Sequence, residues 1–350
     1  MPYPDFRTTI ADVAPGSALR DGLERILRGR TGAIVVLGHG PEVEELCSGG
    51  FELDVEFSPS RLRELAKMDG AVVVDPDNSR IRRANVQLLP DPNIATNETG
   101  MRHRTAQRVS EQAGVPVISV SQSMHTIALY LHGERHVLGS ADVLLAKANQ
   151  ALSTLERYQV RVQEVLANLT TLEIEDLVTA RDVVQVAHRI EMVIRIWQEV
   201  DGYVVELGTD GRLVQLQLVE LVSGIAHDRD LVLDDYATFD RDEAVGRIAA
   251  LDAQQLASPT DVARALRLPL GQQGLDTPLS PRGHRMLDHV PRLPRTVAVS
   301  IANHMGSLQR LLGATTEELQ EVEGVGPLRA RSVREGLSRL VEASIVERRF

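Results

Sequence analysis

Apolar positions along this chain fall into three successive patterns. In the first, short continuous runs alternate with amphipathic stretches. Residues 17–29 carry Leu19, Leu23, Ile26 and Leu27 at helical spacing. Ala33–Leu37 is a continuous apolar run closed by Gly38-His39-Gly40, the pattern of a buried strand. Ser58-Pro59 opens a helix, serine as cap and proline in the first turn, with Leu62, Leu65 and Ala66 facing inward. Residues 72–74 predict a second buried strand, Asp75-Pro76-Asp77-Asn78 a turn, and 80–89 a returning strand. After a loop over 90–100, the pattern predicts a helix over 102–113 and strands over 115–120, 126–131 and 135–138. Strands and helices alternating through short links predict an α/β domain with a mixed sheet over 1–140.

The second pattern is a seam. Leu144, Ala148, Ala151, Leu155, Tyr158, Val162, Val165 and Leu169 recur at alternating intervals of four and three. That is one face of a helix over 142–169, roughly 40 Å long at about 1.5 Å per residue. Helical spacing continues over 174–200, 213–222 and 243–256, with Asp201-Gly202 and Asp210-Gly211 as turns or helix ends. An all-α spine and linker over 141–285 follows, with no catalytic pattern in it. Glycine and proline punctuate 272–295, marking a linker with one short helix after Ser280-Pro281. The third pattern, over 286–350, is helical again.

Composition adjusts this picture. Aromatic residues make up only 3%, so the core is built of Leu, Val, Ile and Ala, which favours helix. The single cysteine, Cys47, excludes an intrachain disulfide and a thiolate-cluster metal site. The longest apolar runs are too short to span a bilayer, so no membrane partner is expected. With no basic-then-apolar leader pattern at the start, the expected location is the cytoplasm, with association at the nucleoid. A net charge of −11 argues against a protein that coats nucleic acid. The average hides a basic patch: residues 324–340 hold Arg329, Arg331, Arg334 and Arg339 against Glu335 alone, a local charge of +3.

That patch sits on a motif. Thr315 and Glu318 form a capping box that starts a short helix. Gly324-Val325-Gly326-Pro327 follows, with Pro327 at the first turn of a second helix. The arrangement resembles the helix-hairpin-helix module, a binder of DNA backbones. The resemblance implies contacts from Gly324, Val325 and Gly326 through main-chain amides and from Arg329, Arg331 and Arg334 through charge. Such contacts position a protein on DNA without reading bases.

Three stretches of the α/β domain carry candidate chemistry: Asp69-Gly70-Ala71, residues 83–92 (RANVQLLPDP), and Gly100-Met101-Arg102-His103-Arg104-Thr105. Singly, each also reads as a turn or a solvated surface. Jointly, a helix N-terminus bearing two arginines and a histidine is a cradle for a triphosphate. An aspartate at a strand start can hold a divalent metal or orient a hydroxyl. The P-loop and dinucleotide fingerprints are both absent.

The order and spacing of these stretches resemble the diadenylate cyclase domain of the DNA integrity scanning (DisA) family, in its actinobacterial form. The resemblance covers the whole chain: cyclase domain, helical spine, helix-hairpin-helix. It implies a nucleotidyltransferase that condenses two ATP into cyclic di-AMP and two pyrophosphates, is regulated by branched or damaged DNA, and uses Mg²⁺ or Mn²⁺. It further implies a homo-octamer with facing cyclase domains. Carried onto this sequence, Asp69 holds the metal and the region of the attacking hydroxyl, and Gly70 lets the nucleotide approach closely. Arg102, His103 and Arg104 bind phosphates and, with Asp69, form the catalytic set. Ala71, Leu88, Met101, Thr105 and Ser121 complete the ATP site. The family reads threonine where Met101 stands. A lost cap of about 1 kcal/mol and a lost phosphate hydrogen bond of about 1.5–3 kcal/mol would slow turnover roughly ten- to a hundredfold. Two rivals follow: a DNA-binding scaffold with a degenerate nucleotide site, and a repair nuclease, which lacks the clustered acids of two-metal cleavage.

Overall fold

A computed structural model describes residues 6–347, with side chains described through residue 343. The chain divides into two compact units, Met1–Gln150 with Glu199–Gln217, and Ala151–Gln198 with Leu218–Phe350. Among the described residues no helix is long and apolar enough to cross a membrane.

The first unit opens with α1 (Phe6–Asp12) and α2 (Ala18–Arg28). It continues through β1 (Ala33–Leu37), α3 (Pro41–Glu44), β2 (Cys47–Ser48), β3 (Phe51–Glu56), α4 (Pro59–Leu65), β4 (Ala71–Val74) and β5 (Arg80–Leu88). It then adds α5 (Met101–Ala113), β6 (Val117–Ser121), β7 (Thr126–Leu131) and β8 (Glu134–Leu138). The sheet runs β2-β5-β4-β1-β6-β7-β8, with β3 also on β5; β1 and β4 pair in parallel and the remaining pairs are antiparallel. The sheet is mixed, as expected.

Alternate residues of the central strands feed two cores. Val35, Val72 and Val74 pack on the face that holds Leu19, Leu23, Ile26 and Leu62 of α2 and α4. Ile34, Val36, Ala71 and Val73 pack on the face that holds Val43 of α3 and Ala106 and Val109 of α5. Burial on both faces is why β1 and β4 read as continuous apolar runs. The caps are those the sequence offers: Ser17 accepts from the Arg20 amide and Ser58 from the Arg61 amide. Residues 47–56, which pattern analysis passed over, form β2 and β3 at the sheet edge, where five of six β3 residues are exposed and little apolar alternation survives.

The segment Glu199–Gln217 is tied into this first unit. Glu206 accepts from the Gly139 amide at 2.6 Å and meets His136 Nε2 at 3.0 Å. The Thr209 amide donates to the Pro15 carbonyl.

The seam forms α6 (Ala141–Glu175) and is followed by α7 (Ala180–Leu207). Asp201 and Gly202, expected at a turn, lie inside α7. Leu152 and Leu166 are buried in the seam, while Ala151, Tyr158 and Val165 are half-buried. Next come α8 (Arg212–Val222), α9 (Ile225–Tyr236), α10 (Arg241–Ala249), α11 (Ala253–Leu256) and α12 (Pro259–Ala265). The single helix expected over 243–256 is two, because Asp252 and Gln255 form a capping box that starts α11. The chain ends with α13 (His284–Asp288), α14 (Arg295–Met305), α15 (Leu308–Gly313), α16 (Thr316–Gln320) and α17 (Pro327–Glu347).

The region expected as a linker is packed rather than loose. Arg285 at the start of α13 is 6% exposed and bonds to buried Glu173 at 2.7 Å. The amides of Gly283, His284 and Arg285 donate to buried Asp235 at 2.7–3.0 Å. Burying charge is costly unless it is paired or bonded: Glu173 is paired with Arg285 and Asp235 accepts three amides, yet burial still raises the pKa of both carboxyls, Glu173 to about 7. The network fixes α13 to α6 and α9 within the second unit.

Candidate functional site

The N-terminal ends of β1 and β4 and the C-terminal ends of β5 and β6 meet at one end of the sheet, as their pairing requires. The N-terminus of α5 faces the same place, across a cavity of about 1020 Å³. Its lining includes Asp69, Gly70, Ala71, Leu88, Met101, Arg102, His103, Thr105 and Ser121. These are nine of the ten residues expected for ATP. The tenth, Arg104, is exposed and absent from the lining. At about 100° per residue it lies about 160° around α5 from Arg102. Arg30, Gln87, Gln122, Ser123 and His125 also line the cavity and were missed. Gln87 lies within the 83–92 stretch without having been singled out, and the other four lie outside the three stretches.

Gly70 is required by the backbone around it. Its φ is +124°, and a Cβ there would stand 2.7 Å from the Asn85 carbonyl carbon and 2.9 Å from its Cα. The chain's own backbone leaves no room for a side chain there. Asn85 has φ +56°, in a stretch where the β4–β5 register shifts. The glycine and the bulge together set the cavity rim that presents Asp69.

Gly32 does similar work for Arg102. A Cβ on Gly32 would lie 2.5 Å from Arg102 Nη1 and 3.2 Å from the Val120 carbonyl. The guanidinium therefore lies against bare backbone at the start of β1. Arg102 Nη2 stands 3.8 Å from Asp69 Oδ1, with both side chains well exposed, so the pair is loose and contributes little to stability.

Met101 is the first residue of α5, and Gly100 is its N-cap. The helix cap was never at position 101, so no capping energy is lost there. Met101 is 84% exposed and borders the cavity, so any effect of the side chain is on a ligand.

His103 is 9% exposed, and its Nδ1 lies 2.8 Å from the Tyr130 hydroxyl. Tyr130 donates in turn to Glu98 at 3.0 Å, and Arg135 stands 3.5 Å from the same carboxylate oxygen. Burial holds the His103 ring below the ordinary imidazole pKa; Glu98 opposes the fall and Arg135 and Arg102 add to it. The ring is neutral at neutral pH, so the positive side-chain charge at this helix start is that of the arginines. Glu98 was missed because nothing in a loop composition signals order. The loop is held by α5: Arg108 donates to the carbonyls of Ile94 and Pro92 at 2.9 and 2.8 Å.

Among the described residues no group of three His, Cys, Asp or Glu side chains stands together to hold a metal. Asp69, fully exposed, is the one acid among the lining residues. A lone carboxylate fits Mg²⁺ or Mn²⁺ where phosphate oxygens and water complete the shell.

In the second unit, the capping box of Thr315 and Glu318 opens α16 as expected. Gly324 has φ +83°, Val325 is buried, and Pro327 opens α17. Gly326 sits just before α17, whose first-turn amides lack partners within the helix. The arginines divide. Arg329 donates to the Gly324 carbonyl at 2.6 Å, bracing the hairpin. Arg334 donates to the Ala314 carbonyl at 2.8 Å, tying α17 to the end of α15. Arg331 is exposed and has no partner among the described residues.

Comparison with known proteins decides the family. The chain is 58% identical to the DNA integrity scanning protein DisA of Parafrankia sp., over 98% of this chain and 97% of that one. It is 57% identical to the protein of the same name from Frankia casuarinae, over the same shares. The chain belongs to the DisA family. Residues 20–135 match the DisA bacterial checkpoint controller nucleotide-binding domain, 138–275 the DisA bacterial checkpoint controller linker region, and 290–344 the helix-hairpin-helix motif. The N-terminal domain of this DisA relative is a diadenylate cyclase domain and its C-terminal segment a DNA-binding helix-hairpin-helix. A solved structure of DacA from Staphylococcus aureus is 20% identical, with a TM-score of 0.31, over 39% of this chain and 90% of that one.

Proposed function

We propose that this protein condenses two ATP into cyclic di-AMP and two pyrophosphates, and that branched or damaged DNA bound through the helix-hairpin-helix regulates the rate. The observation that carries the reading is the cavity in which Asp69, the α5 N-terminus with Arg102, and Ser121 converge, large enough for a nucleotide. Arg102 and the partial positive charge of the α5 N-terminus bind phosphates. Thr105 and Ser121 add hydroxyls, and Ala71 and Leu88 supply an apolar wall. Asp69 would hold Mg²⁺ or Mn²⁺ together with substrate phosphates, and the ion would supply charge for phosphoryl transfer. The chemistry is in-line attack assisted by positioning and electrostatics.

One cavity presents one ATP, so the second comes from a facing copy, in an octamer of this chain. Arg104, exposed and outside the lining of its own cavity, is then a phosphate ligand across such an interface. The cyclase domain spans 1–140, the spine 141–285 and the DNA-binding domain 286–350, in the cytoplasm at the nucleoid. Gly324, Gly326, Arg329, Arg331 and Arg334 form the DNA contact, with Arg331 free to pair with phosphate; Val325, expected there too, is buried with its amide bonded to the Val322 carbonyl and shapes the hairpin instead.

The test is Asp69→Asn. The side chain is fully exposed, so the fold and DNA affinity stay as in the parent. Cyclic di-AMP formation, followed by chromatography, drops below detection. Product at the parent rate would refute the assignment.

A further inference from the structure

The chain Glu98–Tyr130–His103 has one consistent set of proton positions. The Tyr130 hydroxyl hydrogen is given to Glu98, which is ion-paired with Arg135 and accepts. Tyr130 has no second hydrogen, so toward His103 its oxygen can only accept. The hydrogen in the 2.8 Å contact therefore sits on Nδ1 of His103. Burial, with Glu98 adding to it, raises the Tyr130 pKa far above the ordinary phenol value, so the phenol stays protonated. Nδ1 is spent on Tyr130, and Nε2 has no partner among the described residues. What this ring offers the cavity it lines, it offers through Nε2 as a lone pair. A lone pair repels phosphate oxygens and attracts a hydroxyl proton.

We propose that Glu98 and Tyr130 are positioning residues that hold His103 as its Nδ1–H tautomer, so that Nε2 accepts the proton of the attacking ATP 3′-hydroxyl. This rests on the cyclase reading above and replaces the phosphate contact expected of His103. As the O–H bond breaks, its proton goes to Nε2 and the oxygen pair bonds to the α-phosphorus of the second ATP. The bond from that phosphorus to pyrophosphate breaks, and its electrons leave with pyrophosphate. The imidazolium then returns the proton to water. Tyr130 and the Glu98 carboxylate stabilise the imidazolium while it lasts, the arrangement by which a carboxylate orients a histidine base. The charged groups facing the ring are Glu98 from the loop before α5, Arg135 from β8 and Arg102 from α5; Tyr130 from β7 completes its surroundings.

The test uses the full chain labelled with ¹⁵N-histidine, read by magic-angle-spinning NMR, with His103→Gln to assign the signal. The parent should show a neutral Nδ1–H ring at neutral pH, and Tyr130→Phe should shift it toward Nε2–H. Tyr130→Phe should lower kcat by about tenfold to a hundredfold, the scale of a general base, with KM for ATP within about twofold. Glu98→Gln should move the acid limb of kcat/KM to lower pH, because the carboxylate supports the charged ring. An Nε2–H or doubly protonated ring in the active parent overturns the proposal. Unchanged kcat and acid limb in Tyr130→Phe do so as well. No cyclic di-AMP from the parent would instead overturn the cyclase reading, and the proton-transfer role with it.

Discussion

Replacing Gly32 with alanine separates the site from the fold. The added Cβ would stand 2.5 Å from Arg102 Nη1 and 2.9 Å from its Cζ, nearer than real contacts allow. The atom that must yield is the free end of a flexible, half-exposed side chain, so the guanidinium swings away at little cost. The remaining close contact, 3.2 Å to the Val120 carbonyl, needs a shift of a few tenths of an ångström. Stability should fall by no more than about 1 kcal/mol, close to the effect of an ordinary surface substitution. Function should suffer more. A displaced Arg102 loses a charge-assisted phosphate hydrogen bond, about 1.5–3 kcal/mol. That is roughly a 10- to 150-fold loss in kcat/KM. The assay is steady-state ATP turnover beside a thermal melt of the same preparation. Parent kinetics in Gly32→Ala would refute the assignment of Arg102 to the nucleotide. A large drop in Tm with proportionate loss of activity would refute the claim that the glycine serves the arginine.

Other substitutions probe the surrounding frame. Gly70→Ala meets the Asn85–Val86 backbone at φ +124°, so the unit should lose about 1–3 kcal/mol from strain alone; a melt matching the parent would contradict this. Glu206→Gln leaves His136 or the Gly139 amide without an acceptor and should cost about 1–3 kcal/mol at neutral pH. Burial raises the Glu206 pKa, but the His136 and Gly139 bonds outweigh it, so it ends below its ordinary 4.5. The parent therefore holds this stabilisation above about pH 4.5 and loses it as pH falls through the lower folded value; urea titrations should show that loss and the variant should not. Arg329→Ala with Arg331→Ala should weaken DNA binding alike across sequences and flatten its salt dependence, since the contacts are to phosphate. A fluorescence-anisotropy salt titration with an unchanged slope would rule that out.

The sequence was legible where one element carries its own signal. β1 and β4 announce themselves by runs that feed two cores, α2 and α4 by serine caps, and α16 by its capping box. Asp69 and Arg102 were reachable because stretches distant in sequence share one end of the sheet, whereas Ser121 came only through the family resemblance. What stayed hidden depends on contacts between distant segments. Gly32 makes room for a side chain seventy positions later, and Gly70 for the bulge at Asn85. Glu98 matters only through Tyr130. Glu173, Asp235 and Arg285 lie in three separate stretches, so the packing of α13 could not be read from its glycines and prolines. Arg104 is exposed and outside the cavity lining, a placement that three consecutive basic residues on a turning helix do not reveal.

The most direct test of the central claim is the product balance of the purified full-length protein. Incubation with ATP and Mg²⁺ or Mn²⁺, with and without a four-way DNA junction, should yield cyclic di-AMP with two pyrophosphates per molecule formed, at a rate the junction alters. No cyclic di-AMP with either metal would contradict the account and leave a DNA-binding scaffold with an inert nucleotide site.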